Sequence, residues 1–251
     1  MKNKKVQEII YGIHPIIEVL QAKRRRIHTL YTTKPYPKAW KKIAGLLSAN
    51  TDVRIVDRQT LSRIAQSTEH QSFVAFVSPF PFYKKMFESM SHRLVLLLDG
   101  IQDPRNVGAL IRSAYCTGFD GIILPKKGSA TLSATAIKAS AGLAEHMKIY
   151  QVPSVNTAVA ELKQKGYTLY AGTFDGYNAT DVDYRLPLCL TVGSEGAGVS
   201  SAVAREGIHV TLPQREGDIS YNASVAGGIL MFLIAQQSSL RSNKRSKVTQ
   251  G

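Results

Sequence analysis

Three clusters of polar residues and glycines are placed where they could do chemistry. The first is DGIQDPRNVGALIR over 99–112, the second is GSEGAG over 193–198, and the third is SYNAS over 220–224. The first two directly follow strands of a predicted parallel sheet, and the third starts a predicted helix. Because ligands of open parallel sheets bind beyond the carboxyl ends of the strands, these clusters form the candidate site.

Each cluster taken alone also fits a purely structural role. Asp103 could cap the helix that follows it, and Asn222 could cap the helix over 223–237. The glycines of 193–198 could form a strand-to-helix turn. Arg112 fits a structural role less well, because an arginine in an apolar, sheet-packed helix needs an anionic partner or an exit to solvent.

Several familiar sites are excluded by their patterns. The sequence has no G-x-x-x-x-G-K-[ST] phosphate loop, and the glycines at 196–198 lack the third glycine of a dinucleotide fingerprint. A G-x-S-x-G serine nucleophile elbow is also missing. The six histidines and two cysteines are scattered without metal-ligand spacing. We therefore expect no metal site and no serine hydrolase, and the broken glycine fingerprint disfavours the alternative of a dinucleotide-dependent oxidoreductase.

The second half of the chain alternates strands and helices. The predicted strands lack polar alternation, which is typical of strands buried on both faces in a parallel sheet. They are 94–99, 121–124, 147–152, 167–173, 188–193 and 208–212. The predicted helices are 106–117, 132–142, 154–165 and the long apolar segment 223–237. The pattern predicts an α/β fold.

The first eighty residues form a separate small α/β module. Helical spacing of apolar residues covers 8–20, 37–49 and 61–66, and short strands are predicted at 29–33, 53–56 and 72–78. The polar, weakly patterned segment 83–92 separates this module from the sheet domain. The predicted division is a small domain at 1–82, a linker at 83–92, a sheet domain at 93–240 and a basic, disordered tail at 241–251.

Composition places the protein among soluble globular chains. Hydrophobic residues make up 44% and charged residues 20%. No run of 18 apolar residues suggests a membrane helix, and the N-terminus lacks the apolar core of a secretory signal. Two cysteines are too few for a disulfide framework. We expect a cytoplasmic protein without a membrane partner.

The positive charge is concentrated at the two ends. The net charge is +14, and residues 1–50 carry eleven Lys and Arg against two acids. Residues 241–251 add four cations and no acid. Such an uneven distribution suggests a polyanion-binding surface, although a solvated basic face would look the same.

The three clusters together resemble the three motifs of SpoU-type RNA 2′-O-ribose methyltransferases of the SPOUT superfamily. The resemblance covers about 93–237 in the right order, and it is looser for YGIHPIIEVL at 11–20 and HQSFVAF at 70–76. The subgroup most similar to this chain methylates a guanosine ribose in 23S rRNA, and tRNA-modifying relatives come second. The alternative from another class is a non-catalytic ribosome-assembly protein that binds RNA on the same scaffold.

The resemblance implies a specific fold, chemistry and set of site residues. The catalytic domain would contain a deep trefoil knot, the methyl donor would be S-adenosylmethionine, and the protein would act as a homodimer on RNA. The small domain would bind the RNA. Thr173, Gly193, Leu212 and Tyr221 would line the cofactor pocket, and Asn106, Arg112, Glu195 and Asn222 would face the transfer site.

The residues suggest roles within that chemistry. Arg112 is the base in family proposals, but an arginine does not readily lose its proton. We expect Arg112 to clamp a substrate phosphate and stabilise the developing alkoxide, with Glu195 and Asn222 holding it and the ribose. Two departures from the family pattern, Gln214-Arg215-Glu216-Gly217 and Tyr221, concern the rim of the cofactor pocket.

Overall fold

The fold is known from a computed structural model, which describes residues 7–215 and 220–248, and the side chains only up to Ser238. The first module contains four strands and three helices. They are β1 Glu8–Tyr11, α1 Ile13–Ala22, β2 Ile27–Thr32, α2 Trp40–Ala44, β3 Asp52–Ile55, α3 Arg58–Ala65 and β4 Phe73–Val77. The sheet order is β1-β4-β2-β3. β4 is antiparallel to both neighbours, and β2 and β3 are parallel.

Two helix predictions in this module are wrong in extent. Residues 8–11 form β1 rather than the start of a helix, because each of them pairs with β4. Gly12, with φ +97°, separates this strand from α1. The helix predicted over 37–49 is reduced to Trp40–Ala44, between a proline at 37 and a glycine at 45 that disfavour a helix interior.

The second module is built around six strands. Its elements are β5 Leu94–Asp99, α4 Pro104–Cys116, β6 Gly121–Pro125, α5 Ala134–Ala139, a 3-10 helix Leu143–His146, β7 Ile149–Val152, α6 Val155–Gln164, β8 Thr168–Asn178, β9 Leu188–Gly193, α7 Ser201–Glu206, β10 Ile208–Thr211 and α8 Ala223–Val248. The sheet order is β10-β8-β9-β5-β6-β7, and every pair is parallel. The predicted parallel-sheet fold is confirmed.

The C-terminal helix differs from the prediction. α8 continues to Val248, so residues 241–248 are helical where disorder was expected, and 249–251 lie outside the described residues. Polar sequence alone indicated a tail, but a helix that starts on a packed apolar segment can continue through polar residues with good helix propensity.

An ion-pair network joins the two modules. Arg25 and Glu145 have fully buried side chains, and their atoms Nη1 and Oε1 lie 2.9 Å apart. Arg25 also pairs with Glu8 at 2.5 Å. Arg24 donates to the carbonyls of Glu145 and Met147 at 2.9 and 2.8 Å. These two arginines of the basic cluster are therefore structural contacts between the modules.

The segment between the modules is packed. Phe87 is fully buried in the core beside the sheet, and its ring stacks on Tyr83 with centroids 5.4 Å apart. The predicted linker at 83–92 thus connects the modules while contributing to the core of the second. Within the described residues, no helix is long and apolar enough to cross a membrane.

Candidate active site

A tight loop after β9 forms the centre of the site. The amide and carbonyl of Ser194 exchange hydrogen bonds with Gly198 at 3.0 and 2.9 Å, closing the glycine cluster into a narrow turn. A Cβ on Gly193 would lie 2.2 Å from the backbone of Gly198, so only glycine fits there. Asp99, at the end of β5, accepts a hydrogen bond from the Ser200 amide at 2.6 Å and anchors the far side of the loop.

Three predicted site residues from distant parts of the chain meet at this loop. The Nδ2 of Asn106, in the first turn of α4, donates to Glu195 Oε1 at 3.0 Å. Asn222 donates through its Nδ2 to the same oxygen and to Asn106 Oδ1 at 3.2 Å. We call Asn106, Glu195 and Asn222 the amide–carboxylate trio.

Asn222 also has the structural role that its position suggested. Its Oδ1 accepts hydrogen bonds from the Ser224 amide at 2.9 Å and from the Val225 amide at 3.3 Å. These are the free donors at the start of α8, and an Asn at this position caps them. The cap leaves the Nδ2 of Asn222 aimed at Glu195.

Arg112 does not join the trio. It lies on α4 with its side chain exposed to solvent, and among the described residues it makes no hydrogen bond or ion pair. The expected contact of Arg112 with Glu195 and Asn222 is therefore wrong, because Glu195 is held by the two amides instead. Arg112 reaches solvent about 9 Å along the helix axis from Asn106, at 1.5 Å per residue.

The first of two cavities lies between β8, β9, β10 and α8. Its volume is about 280 Å³, and its wall is mostly backbone and apolar side chains. Thr173, Gly193, Leu212 and Tyr221, the residues expected to hold a cofactor, all line it. Thr173 Oγ1 donates to the carbonyl of Asp175 at 2.5 Å, and both residues belong to the part of β8 that lines the cavity.

Gln214 was noted in the sequence only as a departure from the family pattern. Its side chain lines this first cavity, and its Oε1 is buried without a hydrogen-bond partner in the part of the chain that is described. A buried acceptor without a partner destabilises the fold, so a ligand carrying an N–H donor fits beside it. Position just after β10 was the signal that could have identified Gln214.

The second cavity lies on the other side of the trio. Its volume is about 540 Å³, and Gln102, Asp103, Asn106 and Glu195 provide its functional side chains. Ser194, Glu195, Ala197 and Ala223 line both cavities, so the two meet along a shared wall. Sequence reasoning treated Asp103 only as a helix cap, and it does accept from the Arg105 amide at 2.7 Å.

No metal cluster accompanies these cavities. In 7–215 and 220–248, no group of three His, Cys, Asp or Glu side chains is arranged to hold a metal ion. Cys189 is buried inside β9, where burial raises the pKa of its thiol and keeps it protonated. The polar groups considered for chemistry are the trio, Asp103, Gln102, Gln214 and the exposed Arg112, and the first cavity is also lined by Asp175 and His209.

Two family models match the chain. Residues 93–232 match the SpoU rRNA methylase family, and residues 9–83 match the RNA 2′-O ribose methyltransferase substrate-binding domain. The chain belongs to the SpoU rRNA methylase family. Its second module is the methyltransferase domain and its first module is the substrate-binding domain of RNA methyltransferases.

Relatives of this SpoU protein have similar descriptions. It is 30% identical to an uncharacterized tRNA/rRNA methyltransferase of Synechocystis, over 94% of this chain and 65% of that protein. The chain thus spans just under two thirds of that relative. It is 35% identical to a putative TrmH family tRNA/rRNA methyltransferase of Staphylococcus aureus, over 72% of this chain and 75% of that protein.

A solved structure shares the fold. The SpoU methyltransferase AviRb from Streptomyces viridochromogenes, in complex with the cofactor AdoMet, superposes with a TM-score of 0.77. The alignment covers 95% of this chain and 94% of AviRb at 20% identity. Both modules are therefore present in AviRb in the same arrangement.

Proposed function

We propose that this protein transfers a methyl group from S-adenosylmethionine to a ribose 2′-hydroxyl in structured RNA, and that the target is a guanosine of 23S rRNA. The observation that carries the proposal is the amide–carboxylate trio, whose Glu195 lies in the shared wall of two cavities. Donor and acceptor can then occupy separate pockets and meet at Glu195, which lines both.

The first cavity is the proposed donor site. Thr173, Gly193, Leu212 and Tyr221 would hold the cofactor, largely through backbone groups, and Gln214 Oε1 offers an acceptor for one of its amino groups. When bound, S-adenosylmethionine supplies a methyl group that its sulfonium already activates. The chain therefore has to orient the acceptor and accommodate its proton.

The trio orients the acceptor ribose. Its two amides and one carboxylate are fixed to one another, so their remaining polar atoms present a rigid hydrogen-bonding surface. Alignment of reacting groups can contribute about 7–11 kcal/mol in well-oriented systems. Arg112, exposed and without a partner among the described residues, would hold the neighbouring phosphate, and that phosphate would receive the hydroxyl proton.

The second cavity supports a guanine as the target base. Among the described residues that line it there are two carboxylates, Asp103 and Glu195, and no cation, so it suits a neutral donor-rich group better than a phosphate. Asp103 caps α4 through Oδ1, which leaves Oδ2 for a ligand. Of the four bases, guanine alone offers two adjacent donors, N1–H and N2–H₂, to one carboxylate.

Further proposals concern the whole molecule. We propose that the second module is knotted as a deep trefoil, since the glycine loop after β9 lies against the start of α8, where Glu195 accepts a hydrogen bond from Asn222. We propose a homodimer, which the exposed Tyr115, Val225 and Phe232 on the packed helices α4 and α8 support, because exposed large apolar side chains favour association. We also propose that the protein acts in the cytoplasm.

The experiment that tests the function is methyl transfer to purified rRNA and tRNA from a strain lacking the protein. Incorporation of methyl groups at one 23S guanosine supports the proposal. Incorporation into tRNA instead would show that tRNA is the substrate, and no incorporation into either RNA would contradict methyl transfer. Donor binding, measured by calorimetry with EDTA, should not require a metal. Replacing the target guanosine by inosine removes N2–H₂ and with it one hydrogen bond to the carboxylate of Asp103. A hydrogen bond to a charged group contributes about 1.5–3 kcal/mol, so methyl transfer to the inosine RNA should be slower.

A matched pair of variants tests the base. Asp103→Asn keeps the oxygen that caps α4 but loses the carboxylate. It should therefore reduce the difference in methyl transfer between RNA with guanosine and RNA with inosine at the target position. Asp57→Asn makes the same change at the cap of α3, where Asp57 accepts from the Thr60 amide at 2.8 Å, and should leave that difference intact. If Asp103→Asn discriminates as the unmodified protein does, the base assignment is wrong.

A further inference from the structure

The first module carries an exposed surface of aromatic and basic residues that no catalytic role explains. It consists of Tyr36, Trp40, Lys34, Lys38, Lys41 and Lys42, and we call it the Tyr36–Trp40 platform. These residues lie between β2 and β3, on α2 and the segment before it. The match to a substrate-binding domain spans 9–83 and does not single out any part of that module.

Two rings form the centre of the platform. Tyr36 and Trp40 stack with centroids 4.5 Å apart and planes 6° from parallel. Trp40 is half-buried and packs against the hydrophobic core, so it holds the stack in place. Tyr36 is 43% exposed. Since Trp40 covers one face of Tyr36, the exposed area belongs to its outer face and edge.

Positive charge surrounds the stack without neutralisation. Lys34, Lys38, Lys41 and Lys42 are all exposed, and no acidic residue occurs anywhere from 23 to 50. None of these four lysines forms an ion pair with a described residue. The Nζ of Lys34 lies 5.7 Å from the centroid of Tyr36, close enough for a cation–π contact.

The rest of the basic segment is used differently. Arg25 is buried against Glu145 and Glu8, and Arg24 donates to backbone carbonyls of the second module. Two arginines of the cluster are thus used in contacts within the protein, whereas the four lysines of the platform are exposed.

We propose that the Tyr36–Trp40 platform binds an unpaired nucleotide of the RNA substrate, with its base stacked on Tyr36 and its flanking phosphates paired with the lysines. The inference rests on the proposed function in that RNA is the partner. An aromatic ring among uncompensated lysines is the arrangement used for single-stranded nucleic acid, because every base has a face that can stack. A paired base in an A-form helix has no free face, so the platform selects loops or bulges.

The experiment uses the full chain and two RNA probes without methyl donor. One is a hairpin with an unpaired loop, and the other is a fully paired duplex of the same length. Tyr36→Ala should weaken binding of the hairpin about 5- to 150-fold, the range of one base–aromatic stack, and leave the duplex unchanged. Tyr36→Phe keeps the ring and should bind both probes normally.

The lysines have a separate signature. The double variant Lys41→Gln and Lys42→Gln should weaken both probes and lower the slope of log affinity against log salt by about 1.4–1.8, because each lost phosphate contact lowers it by roughly 0.7–0.9. The matched control is Lys126→Gln with Lys127→Gln, two exposed lysines of the second module. If both double variants lost RNA affinity equally, the lysines of the platform would not be the specific RNA contact.

Trp40 provides a direct signal because it is the only tryptophan of the chain. Its fluorescence should change on saturation with the hairpin. An unchanged emission, or a hairpin affinity that Tyr36→Ala does not alter, overturns the platform. An equal response to poly-glutamate or to phosphatidylglycerol vesicles also overturns it, since it would indicate a general anion surface. Failure of methyl transfer with the predicted binding intact refutes only the proposed function.

Discussion

The carboxylate of Glu195 accepts a hydrogen bond from Asn106 Nδ2 at 3.0 Å, although the two residues are 89 positions apart in the chain. The contact joins the loop after β9 to the first turn of α4. It also places Glu195 in the wall between the two cavities. Since Asn222 donates to the same oxygen, one carboxylate orients both amides.

Glu195→Gln should slow methyl transfer while leaving donor binding nearly unchanged. The glutamine oxygen can still accept from both Asn amides, but it carries no charge, so both hydrogen bonds are weaker. The second carboxylate oxygen is replaced by an amide donor, so the trio also presents a different polar group to the acceptor. Loss of one preorganised polar group at a transfer site typically lowers turnover about 10²–10³-fold. Single-turnover transfer and calorimetric donor affinity are the two measurements.

Glu206→Gln is the control for this change. Glu206 is on α7, outside both cavities, and pairs with Lys163 at 2.5 Å on the surface. Removing an exposed ion pair should alter neither measurement, because such pairs contribute little. If Glu195→Gln transfers methyl groups as fast as Glu206→Gln, the trio is not part of the mechanism.

The sequence could predict the sheet but not the contacts at its edge. Continuous apolar strands such as 94–99 and 188–193 indicated parallel pairing, because only strands covered on both faces lack polar alternation. Residues 8–11 have a similar apolar character, and their spacing fits either a helix or a strand. These residues form a strand because they pair with β4, a contact between distant parts of the chain that local spacing does not contain.

The same reasoning explains how far the sequence could lead to the site. The three clusters could be selected because each follows a strand or starts a helix, and the resemblance to the SpoU motifs assigned Asn106, Glu195 and Asn222 to the transfer site. Their mutual hydrogen bonds, and the absence of Arg112 from them, depend on side-chain directions that spacing does not contain. Asp103 was noted as a cap, and its second role depends on a cavity that forms only when the loops of β5 and β9 meet.

Arg25→Met should destabilise the protein by about 3–5 kcal/mol, because it leaves the carboxylate of Glu145 buried without its partner. Burial already raises the pKa of Glu145 despite the neighbouring arginines, and its Oε2 has no hydrogen-bond partner among the described residues. Chemical denaturation followed by Trp40 fluorescence measures the change.

Two further variants separate charge from packing. Arg25→Met combined with Glu145→Met removes both charges and should recover most of the lost stability, since apolar replacement of a buried pair is often neutral. Arg26→Met changes an exposed arginine and should have little effect. A double variant as unstable as the single one contradicts the assigned ion pair.

His70 should make the first module sensitive to mild acid. Its Nδ1 accepts from the Ser72 amide at 3.0 Å, and its Nε2 lies 3.0 Å from Ser62 Oγ. Burial, followed by the charges of Arg58 and Lys138, lowers the pKa of His70 below its usual 6.5. Because the pKa of His70 is lower in the folded than in the unfolded state, the unfolded state takes up the proton first as the pH falls. The contribution of His70 to stability is therefore fully present above the unfolded pKa and is lost as the pH falls from there towards the folded pKa.

The measurement is the thermal midpoint between about pH 7.5 and pH 5.5, the range in which histidine titrates. His70→Asn retains an acceptor for the Ser72 amide but cannot be protonated, so its midpoint should depend less on pH than that of the unmodified chain. His14→Asn, at an exposed position, should follow the unmodified chain. Equal pH dependence in all three excludes His70 as the acid-sensitive group.

Arg112→Lys separates a substrate clamp from a structural arginine. Lysine keeps the charge but loses the planar fork that binds a phosphate through two hydrogen bonds. Because Arg112 is exposed and makes no hydrogen bond or ion pair with other described residues, the thermal midpoint should not change. Donor affinity should also be unchanged, since Arg112 does not line the first cavity.

Methyl transfer by Arg112→Lys should fall about 10²–10³-fold, the usual effect of losing one charge-stabilising donor in the transition state. Arg105→Lys is the matched control, because Arg105 is an exposed arginine on the same helix and, like Arg112, lines neither cavity. If Arg112 clamps the phosphate and Arg105 does not, methyl transfer should fall in Arg112→Lys and stay normal in Arg105→Lys. Equal transfer rates in the two variants, with normal melting and donor binding, would remove Arg112 from the mechanism.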